Sequence, residues 1–106
     1  MIKFDEWQKL DLRVAEIKKV EDHPNADKLF VMTVDVGDEK KQIVAGIRNH
    51  YKKEDLIGKK IIVFNNLEPV VLRGVESKGM LLAASNKDDV ILITVDKNIK
   101  IGSKIS

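Results

Sequence analysis

The protein has 106 residues, 43% of them hydrophobic and 34% charged, a size and balance that suit a chain folding around a single core and exclude a disordered one. It has no cysteine, which removes disulfide frameworks, thiolate metal sites and cysteine nucleophiles. The net charge of +2 is too small to signal nucleic acid by itself, although residues 48–78 carry seven Lys/Arg against four Asp/Glu and form the basic part of the chain.

The N-terminal stretch MIKFDEWQKL offers no continuous apolar block, so neither a secretory signal nor a membrane span is expected, and a cytoplasmic location is. Phe4, Trp7 and Leu10 stand at helical spacing and predict one amphipathic turn. Leu10, Leu12 and Val14 then alternate with polar neighbours until the phase slips to Ile17 and Val20, which predicts a long first strand with a bulge or strong coil. Phe30, Met32, Val34 and Val36 line one face of a second strand, Gly37 supplies a turn, and Gln42 to Ile47 reads as its hairpin partner. In NHYKKEDLIGK a short helix is expected, capped by Asn49 and stopped by Gly58. Lys60 to Phe64 is apolar on both faces, as a covered central strand would be. Pro69 ends that run, so a loop is expected to follow, and Met80 to Ala84 and Val90 to Val95 read as the last strands. Short strands, one interposed helix and no repeat or linker predict an all-β fold. The expectation is a single domain over residues 1–106, an OB-fold five-stranded Greek-key barrel with a short interposed helix and terminal extensions, with a sandwich as the competing architecture.

Residue chemistry points to binding, not catalysis. His23 and His50 are the only histidines, and neither stands in a metal-ligand spacing. His23 with Asp22 and Asp27 could gather a cation, but HPNAD reads first as a turn, for which Asn and Asp are usual. No nucleophile elbow, phosphate-cradling loop or dinucleotide fingerprint occurs, and no cofactor is expected. The stretch RGVESKGM is different. Arg73 and Lys78 bring positive charge, Ser77 a hydroxyl, and Gly74 and Gly79 backbone freedom, a set able to meet phosphate oxygens. Met80 either adds a polarizable surface beside a ribose or base or fills the core. With only five aromatic residues a base-stacking platform is not expected, so a nucleic-acid ligand would be a folded one, recognised by shape and backbone.

The segments DLRVAEI (11–17), HPNADKL (23–29), QIVAGI (42–47), YKKEDLIGKK (51–60) and NLEPVVLRGVESKGMLLAA (66–84) together resemble the tRNA-binding domain family, in order and over nearly the whole chain. That family includes the C-terminal domain of methionyl-tRNA synthetase and its free-standing homologues. The resemblance implies a non-catalytic, shape-directed tRNA-binding OB-fold, usually a homodimer, that helps a synthetase hold its substrate. Motif by motif it implies a binding role for Lys28 and for Arg73, Ser77 and Met80, with Asn66 and Lys78 as further members. Glu68 departs from the lysine common at its position and is expected to weaken phosphate contact, whereas Ala15, in place of a usual glycine, keeps the strand's packing. The initial methionine suits a free-standing protein or separate subunit of a methionyl-tRNA synthetase. A chaperone-like polypeptide-binding dimer of the same fold resembles the chain at FDEWQKLDLRV and again near the C-terminus, and a module serving only dimerisation, with the apolar VILITV and IKIGSKI segment as its seam, is the third reading.

Overall fold

Strand β1 (Leu12–Asp22) organises the molecule, which is a computed structural model describing residues 1–106. Its first half, Leu12 to Glu16, pairs antiparallel with β4 (Lys60–Phe64), and its second half, Glu16 to Asp22, pairs with β2 (Phe30–Asp35). β2 turns through Gly37 into β3 (Lys40–Ala45), and β4 takes β7 (Met80–Leu81) on its far edge, giving the order β3-β2-β1-β4-β7. Between β4 and β7 the chain makes a small hairpin of β5 (Val70–Leu72) and β6 (Val75–Ser77). The sheet curls until the segment leaving β6 meets β3, where the Lys78 amide donates to the Gln42 carbonyl at 2.9 Å. A nearly closed five-stranded antiparallel barrel results, and the short helix α2 (Lys53–Leu56) lies between β3 and β4 in sequence. This is the all-β, OB-like architecture the alternating pattern predicts.

The phase slip in β1 has two physical sources. Leu12 and Val14 face outward but are buried with Ile62 in a second apolar cluster, while Ala15 and Ile17 face the barrel interior, so the first half of the strand is covered on both sides. A register shift between Ile17 and Lys19 then inserts one residue, and the interior position moves to Val20. Ala15 is fully buried in the main core, so its methyl is accommodated by packing. β4 is covered on both faces as expected: Ile61 and Val63 point into the barrel, Ile62 into the outer cluster.

Several expected boundaries differ. α2 begins at Lys53, after an extended Lys52 with no side-chain cap; Asn49 lies in the preceding turn, where the His50 and Tyr51 amides both bond the Ile47 carbonyl. Leu56 is buried against the barrel, and that packing, not a cap, fixes where the turn forms. The run Met80 to Ala84 is divided, because after Leu82 the chain leaves β4 and forms a separate ribbon of β8 (Ala83–Ser85) and β9 (Val90–Leu92). Helix α1 (Phe4–Trp7) forms where the spacing predicts it, yet Phe4 stays 71% exposed. The C-terminal tail lies along the edge of β1 that β2 leaves free: the Val14 amide bonds the Ser103 carbonyl and the Ile105 amide the Leu12 carbonyl. That placement covers the outer cluster.

Beside the tail, Arg13 grips Asp11 with two bonds of 2.9 and 3.0 Å and reaches Asp38 at 2.9 Å. The guanidinium bond holds the Asp11 carboxyl below its usual range and correspondingly raises Arg13, and the Asn65 amide assists. A carboxylate depressed in the folded state contributes stability above its unfolded pKa, and that contribution is lost as pH falls through the folded value. Denaturant unfolding at neutral pH and at about pH 3 should therefore show an acid loss that Asp11→Asn reduces. An acid limb of unchanged steepness in that variant would remove Asp11 from the account.

Candidate nucleic-acid interface

Two loops of the barrel converge at one end: the β1–β2 connection, His23 to Leu29, and the β5–β6 hairpin inserted between β4 and β7. In OB-folds the connections after the first and fourth barrel strands are the ones that meet oligonucleotides. The segment after Pro69, expected as a plain loop, is a hairpin because Arg73 (φ 53°) and Gly74 (φ 89°) both take left-handed backbone angles and close a two-residue turn whose twist suits the flanking strands. Glycine adopts that angle freely. Arginine does not, and holding it there costs about 1 kcal/mol, an outlay in a place where no packing is gained.

His23 joins the two loops. Its ring is 3% exposed; Nδ1 accepts the Asn25 amide at 2.9 Å, and Nε2 donates to the Leu72 carbonyl at 2.9 Å, which fixes the tautomer as Nε2–H. Arg73 Nη2 donates in turn to the Asn25 carbonyl at 3.2 Å. The turn reading of HPNAD is therefore the one realised, and Asp22 meets Arg48 and Lys53 at 3.4 and 3.3 Å instead of a cation with His23. Between the loops lies an open cleft of about 400 Å³ lined by Asn25, Ala26, Asp27, Lys28, Leu29 and Arg73. Lys28 and Arg73 are both exposed on its walls, and neither takes part in any of the ion pairs of the molecule. Two cations outside any ion pair line this cleft against the single carboxylate of Asp27, and a backbone carrying repeated phosphates would meet both.

The other expected site residues divide. Lys78 is exposed near the hairpin and only loosely paired, 3.8 Å from Glu76, so its charge is available. Met80 is half-buried opposite Phe64 and belongs to neither apolar cluster, so it does not fill the core. Glu68 is exposed and has no cationic partner. Ser77 requires correction as a contact residue. Ser77 has 0% exposure, and its hydroxyl accepts the Val44 amide at 2.9 Å while donating to the Gly79 carbonyl at 2.8 Å. It is a clasp across the closing seam of the barrel, and its burial leaves a ligand no access to it. Asn66 is exposed outside the cleft lining; its Oδ1 accepts the Asp11 amide and its Nδ2 donates to the Lys9 carbonyl, both at 2.8 Å, which ties the N-terminal segment down. Gly79 likewise turns inward. A Cβ there would stand 2.9 Å from the Phe64 carbonyl, so its close approach is to the neighbouring strand and not to a ligand. Sequence reasoning missed Asn25, and it missed Arg48, which braces the loop from behind through the Ala26 carbonyl at 3.4 Å. The one available signal was the turn chemistry of HPNAD.

For the clasp, Ser77→Ala leaves the Val44 amide buried without a partner and should cost about 2 kcal/mol. Urea denaturation measures it, and a loss below about 0.5 kcal/mol would show that water replaces the hydroxyl.

The chain matches a family model described as "Putative tRNA binding domain" over residues 12–104. It is 54% identical over 104 residues to a methionine–tRNA ligase of Thermococcus kodakarensis, an alignment that covers 98% of this chain and 14% of the ligase. The chain thus spans about a seventh of that relative. Among solved structures, a MetRS-related protein from Pyrococcus horikoshii superposes with a TM-score of 0.92 at 37% identity, covering 100% of this chain and 98% of that one. The chaperone CsaA of Picrophilus torridus gives 0.91 at 37% identity, with full coverage of both chains.

Proposed function

Because the chain belongs to the tRNA-binding domain family, we propose that residues 1–106 act as one non-catalytic domain that binds tRNA by shape and serves a methionyl-tRNA synthetase, as an appended domain, a separate subunit or a free-standing protein. The observation that carries the proposal is the pair of cations free of ion pairs, Lys28 and Arg73, on two mutually bonded loops that line one cleft. A folded RNA presents backbone phosphates at fixed separations, and cations carried on two fastened loops meet that spacing while ignoring base identity. Lys78 extends the charge along the hairpin, and Met80 supplies apolar surface next to it. The similarity to a methionine–tRNA ligase supports the synthetase as the enzyme served. The cytoplasm is the compartment in which such a partnership operates, and no helix is long and apolar enough to cross a membrane.

Filter binding of total tRNA, a duplex DNA and an unfolded peptide at one stated salt concentration tests the reading. tRNA should be retained best, with little difference among tRNA species. A specific observation favours a second reading: the fold coincides with that of the chaperone CsaA, and Ile2, Phe4 and Trp7 leave an apolar face exposed at the N-terminus. Retention of the peptide with no retention of tRNA would establish it. The same apolar face suits a homodimer seam, which would double the cationic sites on one tRNA through effective concentration. Sedimentation at micromolar concentration should give a dimer that Trp7→Asp splits, and a monomeric wild type would exclude it.

A further inference from the structure

We propose that His23 is a positioning residue for the RNA site: its imidazole fastens the β1–β2 loop to the β5–β6 hairpin so that Lys28 and Arg73 meet the phosphates as one preset pair. The proposal rests on the reading of those two cations as phosphate contacts and adds the group that sets their separation. Three hydrogen bonds form a closed circuit, from Nε2–H to the Leu72 carbonyl, from the Arg73 guanidinium to the Asn25 carbonyl, and from the Asn25 amide back to Nδ1. Every member of the circuit lies in or directly beside the cleft wall, and the two loops come from positions 49 residues apart in the chain. Without the ring nothing else in the circuit binds the β1–β2 loop to the hairpin backbone, since the remaining bond uses the long, exposed side chain of Arg73. His23 itself is too buried to touch an RNA, so any effect it has on binding passes through the geometry of others.

The physical consequence concerns ordering. A ligand that meets two cations on independently moving loops must immobilise both on binding, whereas a pre-fastened pair has met that cost during folding. The amide of asparagine can accept the Asn25 N–H in the same i to i+2 geometry that Asp35 uses for the Gly37 amide, but it is too short to span to Leu72. The longer amide of glutamine can place an N–H where Nε2 stands. His23→Asn therefore cuts the bridge while keeping the turn, and His23→Gln tests its replacement.

The experiment measures tRNA affinity as a function of salt for the full chain, well below each variant's melting temperature. His23→Asn should bind about tenfold more weakly with an unaltered salt slope, because both cations are retained and only their ordering is lost. His23→Gln should recover most of that affinity. Full affinity in His23→Asn, while Lys28→Ala and Arg73→Ala each weaken binding, overturns the proposal alone. Unchanged affinity in those two alanine variants overturns the assignment of the cleft and the proposal with it. Should His23→Asn not fold, nitrogen-15 NMR of the wild type decides: the ring must carry its proton on Nε2 in both free and tRNA-bound protein, with the Asn25 amide protected from exchange. A freely rotating imidazole or an unprotected Asn25 amide overturns the proposal.

Discussion

Replacing Lys28 and Arg73 together by alanine is expected to lower tRNA affinity about a hundredfold near 0.1 M salt and to flatten the salt dependence by about two units of slope. Each phosphate that a cation neutralises releases condensed counterions, so each lost contact removes close to one unit from the slope and about tenfold in affinity at that salt. The single variants should each show about half of this effect on a logarithmic scale. Both residues stand on exposed loop positions outside the core and outside every ion pair, so melting temperature should hardly move. Lys78→Ala provides the comparison, with a smaller change expected because Glu76 already offsets part of its charge. A slope that stays the same in the double variant would show that the RNA meets another face.

Gly79→Ala should lower stability by about 3 kcal/mol, with tRNA affinity of the remaining folded protein little altered. Two penalties add. The backbone at Gly79 has φ 127°, which an L side chain rarely adopts, and the new Cβ would stand 2.9 Å from the Phe64 carbonyl and 3.5 Å from Val63 Cγ1. The first contact is with backbone and has no flexible end to yield. Because Gly79 also places the carbonyl that accepts the Ser77 hydroxyl, any shift that relieves the clash opens the closing seam. Thermal unfolding measures the effect, and a variant as stable as the wild type would mean that the seam is plastic.

Both expectations separate the proposed RNA contact of the stretch RGVESKGM from its part in closing the barrel. Its charges and its small residues stand together in the sequence, and read in isolation they form one ligand-binding loop. In the folded chain strand periodicity divides them: Ser77 points into the seam and Gly79 lies against β4, while Lys78 between them and Arg73 at the hairpin tip point to solvent. Composition within a few residues cannot show this. The decision depends on where β3 and β4 arrive from elsewhere in the chain.

What the sequence by itself determined was the β architecture, since alternation along β1, β2 and β4 reports burial on a pleated surface with a period of two, and the turn residues between strands mark where each ends. Only the tertiary structure decided which polar residues are spent inside the molecule. Ser77 and His23 carry groups that could meet a ligand, and each is instead buried and bonded to main chain from a distant segment, the Val44 amide for the one and the Leu72 carbonyl for the other. Hydrogen-bonding capacity is local to a side chain, but whether it is already satisfied depends on partners that only the closed barrel supplies.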